Sequence, residues 1–495
     1  MTNERRIQPD NHDEWPFLSL RDYLAYLEKN DRLLHIDKPV DANLEIGGIS
    51  RKLLESSSDK ACMFWNTTSS FEGWHVESPF QVSVEGLHRH MKMFEEIFNV
   101  PQKDIYKNWF EKLLKPIPPT VVKDAPCKDV VLTGDDVDLQ KIPIERCGSK
   151  QGGPFISMGN CFTKHPDMDV TNLGIYRLHA KSKDHTGILI VPHQSVAAIY
   201  AKYDVLGKAM PMAVAIGTDP LLPICGASPF PVNLSEIDGW GAITGCPLEM
   251  VPCETIDMLV PAQAEYILEG EVLQGTREME GPFGEYTGFY SGVRDLPVFK
   301  VKCITHRKDP IYNTVTIGKP PSEGNSLTEM GFGLELARVC RNSLPEVTGV
   351  RSMMAHGLCT VIQISKERRY KGIAQRAGNL VWANKSHVKN VFVIDDDIDI
   401  WSNEDILWAF ATRFQANKDL AIIPNVSGVR LDPSEPHGGE EGISCKMIMD
   451  CTEPFPPMHA PYMRGVARPS AETMEAVEKN WDEYFKDQLS TKDKK

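Results

Sequence analysis

From about residue 120 to 312 the chain is a succession of short apolar runs, each cut off by Gly, Pro or Asp. VVLTGDDVDLQKIPI, DVTNLGIYRLHAK, TGILIVPH, MPMAVAIG and PVFKVKCITHRKDPIYNTVTIG follow one another in this way. Short runs rich in β-branched residues and bounded by turn formers predict a barrel or sandwich-like β domain rather than βαβ repeats. Within it, VPAQAEYILEGEVLQG reads as a helix-like start followed by a strand.

The flanks are patterned differently. Ser19 and Asp22 bracket the start of an amphipathic helix carrying Leu20, Tyr23, Leu24 and Leu27, which Asn30-Asp31 ends. LLHIDKPV reads as a strand, about 41–54 as a helix, and 84–116 as helical again, broken at Pro101. On the other side a helix is expected to begin near Asn325-Ser326, with Glu329 closing a capping box. TVIQIS, QRAGNLVWANKS, KNVFVIDDDIDI and EDILWAFATRF then alternate strand and helix. A proline-rich arm leads to a last amphipathic helix with Met474, Val477, Trp481 and Phe485 near one face, expected to dock on its own subunit or a neighbour. The predicted plan is mixed α/β, in five parts: 1–120, 121–312, a linker at 313–330, 331–455, and an arm with helix at 456–495.

Composition narrows the function. Lys plus Arg number 54 and Asp plus Glu 68, a net charge of −14, which argues against a nucleic-acid coat. A local pocket can still be positive. No apolar run reaches 18 residues, so no membrane span is expected. The start, MTNERRIQPDNHDEWPF, lacks the apolar core of a signal peptide. Twelve scattered cysteines without a CxxC read as reduced thiols of a cytoplasmic protein. No glycine-rich dinucleotide fingerprint follows a strand, and there is no P-loop, HExxH or GxSxG.

Several residues carry chemistry. Glu280 and Glu285 are separated by Gly281, Pro282, Phe283 and Gly284, a turn that can aim both carboxylates at one cavity or leave them solvated. Sharing a cavity would push their pKa values apart and leave one able to donate a proton. Arg177 offers a planar fork for a carboxylate. It stands five residues after Asn172, on the opposite face of a strand unless a bulge or turn intervenes. Asn172, His193 and Glu236 form a hard O/N donor set suited to Mn²⁺ or Mg²⁺, or else a core histidine with two surface residues. Asp395, Asp396, Asp397 and Asp399 make an acidic strand end, either a cation site or a solvated or capping cluster; Lys389 is either solvated or a phosphate partner.

Taken in order, NLGIYR at 172–177, VPH at 191–193, NLSEIDGWGAITGCPLEMV, VPAQAEYILEG at 260–270, EGPFGEYTGFY at 280–290, IGKPPSE at 317–323 and KNVFVIDDDIDIWSNEDILWAFATRFQ resemble the UbiD family of reversible decarboxylases that use prenylated FMN. The resemblance covers roughly 18–455. It implies that Asn172, His193 and Glu236 hold Mn²⁺ (or Mg²⁺) against the cofactor phosphate, with Lys389 beside it and K⁺ near ICGASP at 224–229. It further implies cofactor contacts from Ile175, Arg177, Pro192, Ala227 and Ser228, and a catalytic network of Arg177, Glu280 and Glu285. Glu285 would protonate the product after a covalent adduct has released CO₂, its pKa raised by Phe283, Phe289 and Glu280.

The fold implied is a split-barrel flavin domain flanked by the N-terminal segment, with a C-terminal oligomerisation domain in a homodimer or homohexamer. A flavin prenyltransferase would supply the cofactor. The expected substrate is a small aromatic or heteroaromatic carboxylic acid, as in the bacterial aryl-acid branch, in a pocket including Leu327, Thr328, His437 and Met447. The alternatives are a prenylated-hydroxybenzoate decarboxylase of quinone biosynthesis and, from another class, a flavin-free metal-dependent hydrolase.

Overall fold

Ser19 opens the first helix by accepting the Asp22 N–H on its Oγ at 3.1 Å, as the local pattern predicts. The computed structural model describes residues 6–56, 58–76, 80–84, 94–168, 170–192, 194–228, 230, 234–353, 358–435, 442–458 and 460–485. The N-terminal elements are α1 (Leu20–Lys29), β1 (Leu33–Ile36), β2 (Val40–Asp41), α2 (Glu45–Glu55), β3 (Ala61–Thr68), β4 (Phe80–Val84), α3 (Phe94–Phe98) and α4 (Ile105–Lys112).

The middle region runs β5 (Thr120–Val121), β6 (Val130–Thr133), β7 (Phe155–Ile156), β8 (Asn160–Lys164), β9 (Thr171–Ile175), β10 (Leu178–Ala180), β11 (His185–Ile188), α5 (Ser195–Val205), β12 (Met210–Ile216), α6 (Leu222–Ala227), α7 (Glu236–Thr244), β13 (Glu249–Pro252), β14 (Leu259–Pro261), β15 (Tyr266–Glu280), β16 (Arg294–His306) and β17 (Ile311–Thr314). The C-terminal region adds α8 (Glu323–Ser343), β18 (Val347–Met353), β19 (Cys359–Ile364), α9 (Ile373–Asn384), β20 (Asn390–Asp395), α10 (Asn403–Arg413), β21 (Leu420–Ser427), β22 (Ile443–Asp450), α11 (Ala471–Lys479) and α12 (Trp481–Phe485).

Among the described residues the central sheet has nine strands in the order β7-β10-β11-β16-β15-β12-β8-β9, with β6 on β16. Its ends are joined by very short links: Ser157–Gly159 connects β7 to β8, and Tyr176–Arg177 connects β9 to β10. A sheet whose first and last strands are that close in sequence must curl until its edges nearly meet. The result is a split barrel, with Tyr176 and Arg177 crossing the seam. Strand β17 leaves this sheet and pairs parallel with β4 in the N-terminal one. In the C-terminal sheet, β18-β19-β20-β22-β21, alternate residues face two cores. Ile362, Val391, Val393 and Ile448 join the large core with α8 and α9. Val361, Ile394 and Met449 join a separate cluster with Ile406 and Ala409 of α10.

Four local expectations need correction. Residues 260–265 form no helix; β14 ends at Pro261 and β15 starts at Tyr266. Three helices, α5 to α7, interrupt the β region. Helix α8 starts earlier than predicted, because Ser322 Oγ accepts the Asn325 N–H, and Glu329 pairs instead with buried Arg351 at 2.9 Å. The last helix breaks at Asn480, and α11 buries no residue, so it does not dock on its own subunit among the described residues. The Phe485 side chain lies outside them. No helix among the described residues is long and apolar enough to cross a membrane.

Candidate active site

Strand β9 ends at Ile175, so the strand geometry that would oppose Asn172 and Arg177 no longer holds at the seam. Arg177 turns inward, its side chain 8% exposed. Its Nε and Nη2 donate to the two oxygens of Glu280 at 2.8 and 2.9 Å, a bidentate pair. Its Nη1 donates to Glu285. Glu280 is fully buried at the end of β15. Room for it comes from Gly187 on β11, where a Cβ would stand 3.2 Å from Glu280 Cγ. The next residues turn back as a hairpin, in which Glu285 N–H donates to Phe289 O at 2.9 Å and Ser291 N–H to Phe283 O at 2.8 Å.

The two predicted carboxylates therefore meet on one guanidinium, which cannot neutralise both. Glu280 holds two of its donors and Glu285 one. Burial raises the Glu285 pKa; Arg177 pulls it back and Glu280 raises it further. The group is thus biased toward carrying a proton. Phe283 is buried, and the Arg177 guanidinium sits 4.9 Å from its ring centroid. Phe289 is 60% exposed, so it supplies none of the burial expected of it.

On the other side of the seam, Asn172 donates through Nδ2 to Thr163 Oγ1 at 3.3 Å and to Tyr176 Oη at 3.2 Å. Gly174 makes this possible, since a Cβ there would strike the Tyr176 hydroxyl at 2.2 Å. Glu236, the first residue of α7, accepts the Leu173 N–H at 3.3 Å. Burial pushes its carboxyl up to about 7 against the pull of backbone N–H groups. A half-buried carboxylate of this kind, bonded to the residue next to Asn172, fits a hard cation. His193 lies outside the described residues, and among those described no three His, Cys, Asp or Glu side chains group as a metal site. Ile175 packs beside Gly226 of α6, next to Ala227 and Ser228, while Pro192 is exposed.

The remaining predicted residues scatter. Leu327 is buried in the large core on α8, and Thr328 bonds Gly324 O at 2.7 Å. Met447 faces the α10 cluster, across the sheet from them, because β22 alternates its side chains; it is therefore no partner of Leu327 in one pocket. His437 lies outside the described residues. Lys389 donates to Asp432 at 2.8 Å and bonds Ser434. The acidic strand end is in part the solvated and capping cluster expected, since Asp396, Asp397 and Asp399 are exposed and Asp399 accepts the Trp401 N–H at 2.9 Å, and in part an ion-pair network. Asp395 and Asp397 pair with Arg413, itself 1% exposed, at 2.9 and 2.8 Å. The sequence reading missed Tyr176, Asp432, Arg413, and two residues beside the acids, His179 and Lys181. The signal for the last two was present: RLHAK places Arg177, His179 and Lys181 at strand period on one face.

Comparison with known proteins places this geometry in a class. The chain matches the N-terminal domain of 3-octaprenyl-4-hydroxybenzoate carboxy-lyase over residues 24–113, its Rift-related domain over 120–320 and its C-terminal domain over 327–451. It is 30% identical to the phenolic acid decarboxylase of Sedimentibacter hydroxybenzoicus over 97% of this chain and 99% of that one. Among solved structures it is similar to vanillic acid decarboxylase of S. hydroxybenzoicus in open form, with TM-score 0.83 and 30% identity over 95% of this chain and 99% of that one. It is similar, too, to the UbiD-class enzyme HmfF from Pelotomaculum thermopropionicum in complex with FMN, with TM-score 0.81 and 30% identity over 92% and 98%. A carboxy-lyase fold with a buried acid pair is thus the class that fold and site define. The chain belongs to the UbiD family and is an enzyme of that carboxy-lyase class.

Proposed function

We propose that this chain catalyses the non-oxidative, reversible decarboxylation of an aromatic or heteroaromatic carboxylic acid with prenylated FMN. The observation that carries this reading is the Arg177 guanidinium shared by Glu280 and Glu285 at the barrel seam. When bound, prenylated FMN supplies a covalent electron sink for the pair left by departing CO₂, which an sp² carbon cannot delocalise. Arg177 orients the substrate carboxylate. Glu280 fixes Arg177 from the side away from Glu285. Glu285 carries the proton and delivers it from its carboxyl oxygen to the carbon that lost CO₂. The buried seam excludes water from that transfer.

Asn172 and Glu236, with His193 as the third residue, hold Mn²⁺ or Mg²⁺ at the cofactor phosphate. Lys389, bonded to Asp432 here, would serve that phosphate, and K⁺ would be held near α6. Ile175, Ala227 and Ser228 border the cofactor, and Leu327 and Thr328 border the substrate. The enzyme works in the cytoplasm as a homodimer or homohexamer, charged with cofactor by a flavin prenyltransferase.

The test is co-production with a flavin prenyltransferase, followed by cofactor mass spectrometry, a visible spectrum, and a screen of aryl acids for CO₂ release. Bound prenylated FMN with turnover of an aryl acid is the expected result. Folded protein that binds no flavin with Mn²⁺ and K⁺ supplied would overturn the reading.

A further inference from the structure

We propose that His179 is a positioning residue for the acid pair, holding the turn between Glu280 and Glu285 through its imidazole Nδ1. The N–H of Gly281, the residue after Glu280, donates to His179 Nδ1 at 3.2 Å. His179 is 2% exposed and stands on β10, two residues beyond Arg177. Lys181, two further on, donates to Met279 O at 2.7 Å. Arg177, His179 and Lys181 thus grip three consecutive residues, Met279, Glu280 and Gly281: a carbonyl, a carboxylate and an N–H. The register partner of His179 is Gly187, whose missing side chain leaves the space that Glu280 fills.

The imidazole is enclosed on all sides that matter for its aim. Phe155 stacks on it at 4.2 Å and 21°, and Phe155 in turn packs on Phe283 at 4.7 Å, beneath Arg177. Gly152 and Gly153 lie against its edge, where a Cβ would come within 3.1 and 2.7 Å of the ring. Gly152 N–H also donates to Pro282 O at 2.9 Å. Burial, then Lys181 and Arg177, push the His179 pKa down to about 3. The ring is therefore neutral at working pH, and accepting on Nδ1 sets the hydrogen on Nε2. A protonated ring would offer the Gly281 N–H no acceptor.

Two roles for such a residue make opposite predictions: the ring is needed either as core packing or as the acceptor. His179→Phe keeps the stacked ring and removes the acceptor. His179→Asn keeps an acceptor near the Nδ1 position and removes the ring. Two readouts apply: amide hydrogen exchange of Gly281 in the full chain without cofactor, and steady-state kinetics of the flavin-loaded enzyme. For His179→Phe, Gly281 exchange is expected to rise about tenfold or more. Its kcat is expected to fall about tenfold or more with KM within about twofold, because Glu285 is misplaced while the substrate still binds. His179→Asn is expected to stay within about threefold of the wild type in both readouts.

Wild-type exchange and kcat in His179→Phe, or losses in His179→Asn as large as those in His179→Phe, would overturn the proposal. Should His179→Phe not fold, His179→Asn decides alone: retained protection and kcat support the role, and their loss overturns it. The kinetic arm rests on the decarboxylase reading, whereas the exchange arm does not. A wild-type enzyme that turns over no aryl acid sinks that reading and leaves Gly281 exchange to judge His179.

Discussion

At the scale of single residues, a guanidinium facing two buried carboxylates leaves one negative charge too many, and Arg177 gives two of its donors to Glu280 and one to Glu285. For Glu285, burial raises the pKa, Arg177 pulls it back and Glu280 raises it further, the direction the proposed acid requires. Glu285→Gln keeps the shape and loses the transferable proton. Turnover and solvent-deuterium incorporation into product are expected to fall at least about a hundredfold with flavin still bound; rapid exchange would reject its role. Glu145 gives a second prediction, about stability. It is 2% exposed, accepts from Thr314 Oγ1 at 2.6 Å, and burial pushes its pKa up from 4.5 to about 7. The folded protein therefore holds this proton more tightly than the unfolded chain does. Its stability is full below pH 4.5 and declines as pH rises to about 7, by about 3 kcal/mol. Glu145→Gln, neutral throughout, is expected to melt higher than wild type above pH 7 and at the same temperature near pH 4. Parallel melting curves at both pH values would refute this.

At the scale of elements, α8 joins the C-terminal region to the cofactor side through close backbone contact. A Cβ on Gly331 would stand 2.3 Å from Ala227 O, at the end of α6. Alanine normally stabilises a helix interior by up to about 1 kcal/mol over glycine. Here the clash is with backbone, which cannot rotate away, so Gly331→Ala is expected to destabilise by about 1–3 kcal/mol in denaturant titration. Strand β10 shows how legible a short element is. The spacing of Arg177, His179 and Lys181 put three polar groups on one face, and their shared target is the end of a strand about a hundred residues later in the chain. Face follows from period two alone; partner does not. The same logic separates Met447 from Leu327. Both were expected in one substrate pocket, but a single residue of parity sends Met447 to the α10 side.

At the scale of the whole molecule, the C-terminal arm is the outlier. Met463 is 74% exposed and Met474 50%, and α11 contributes nothing to any core. Ending the chain at Pro469 is expected to change the stability of the isolated subunit by no more than about 0.5 kcal/mol, because none of the residues described beyond it is buried. Any change should appear in the mass measured by light scattering, and a lower melting temperature at constant mass would contradict this. The sequence by itself determined the mixed α/β plan, the β-rich middle, and most helices and strands of the flanks. These depend on local propensity, turn chemistry and motif order, all carried by neighbouring residues. Tertiary structure alone decided that Tyr176 and Arg177 cross the seam of a split barrel, that Asp395 and Asp397 close on Arg413, and that His179 faces Gly281. Each of those pairs is distant along the chain or set by strand order, and strand order follows from how sheets bury their faces against one another rather than from any local pattern.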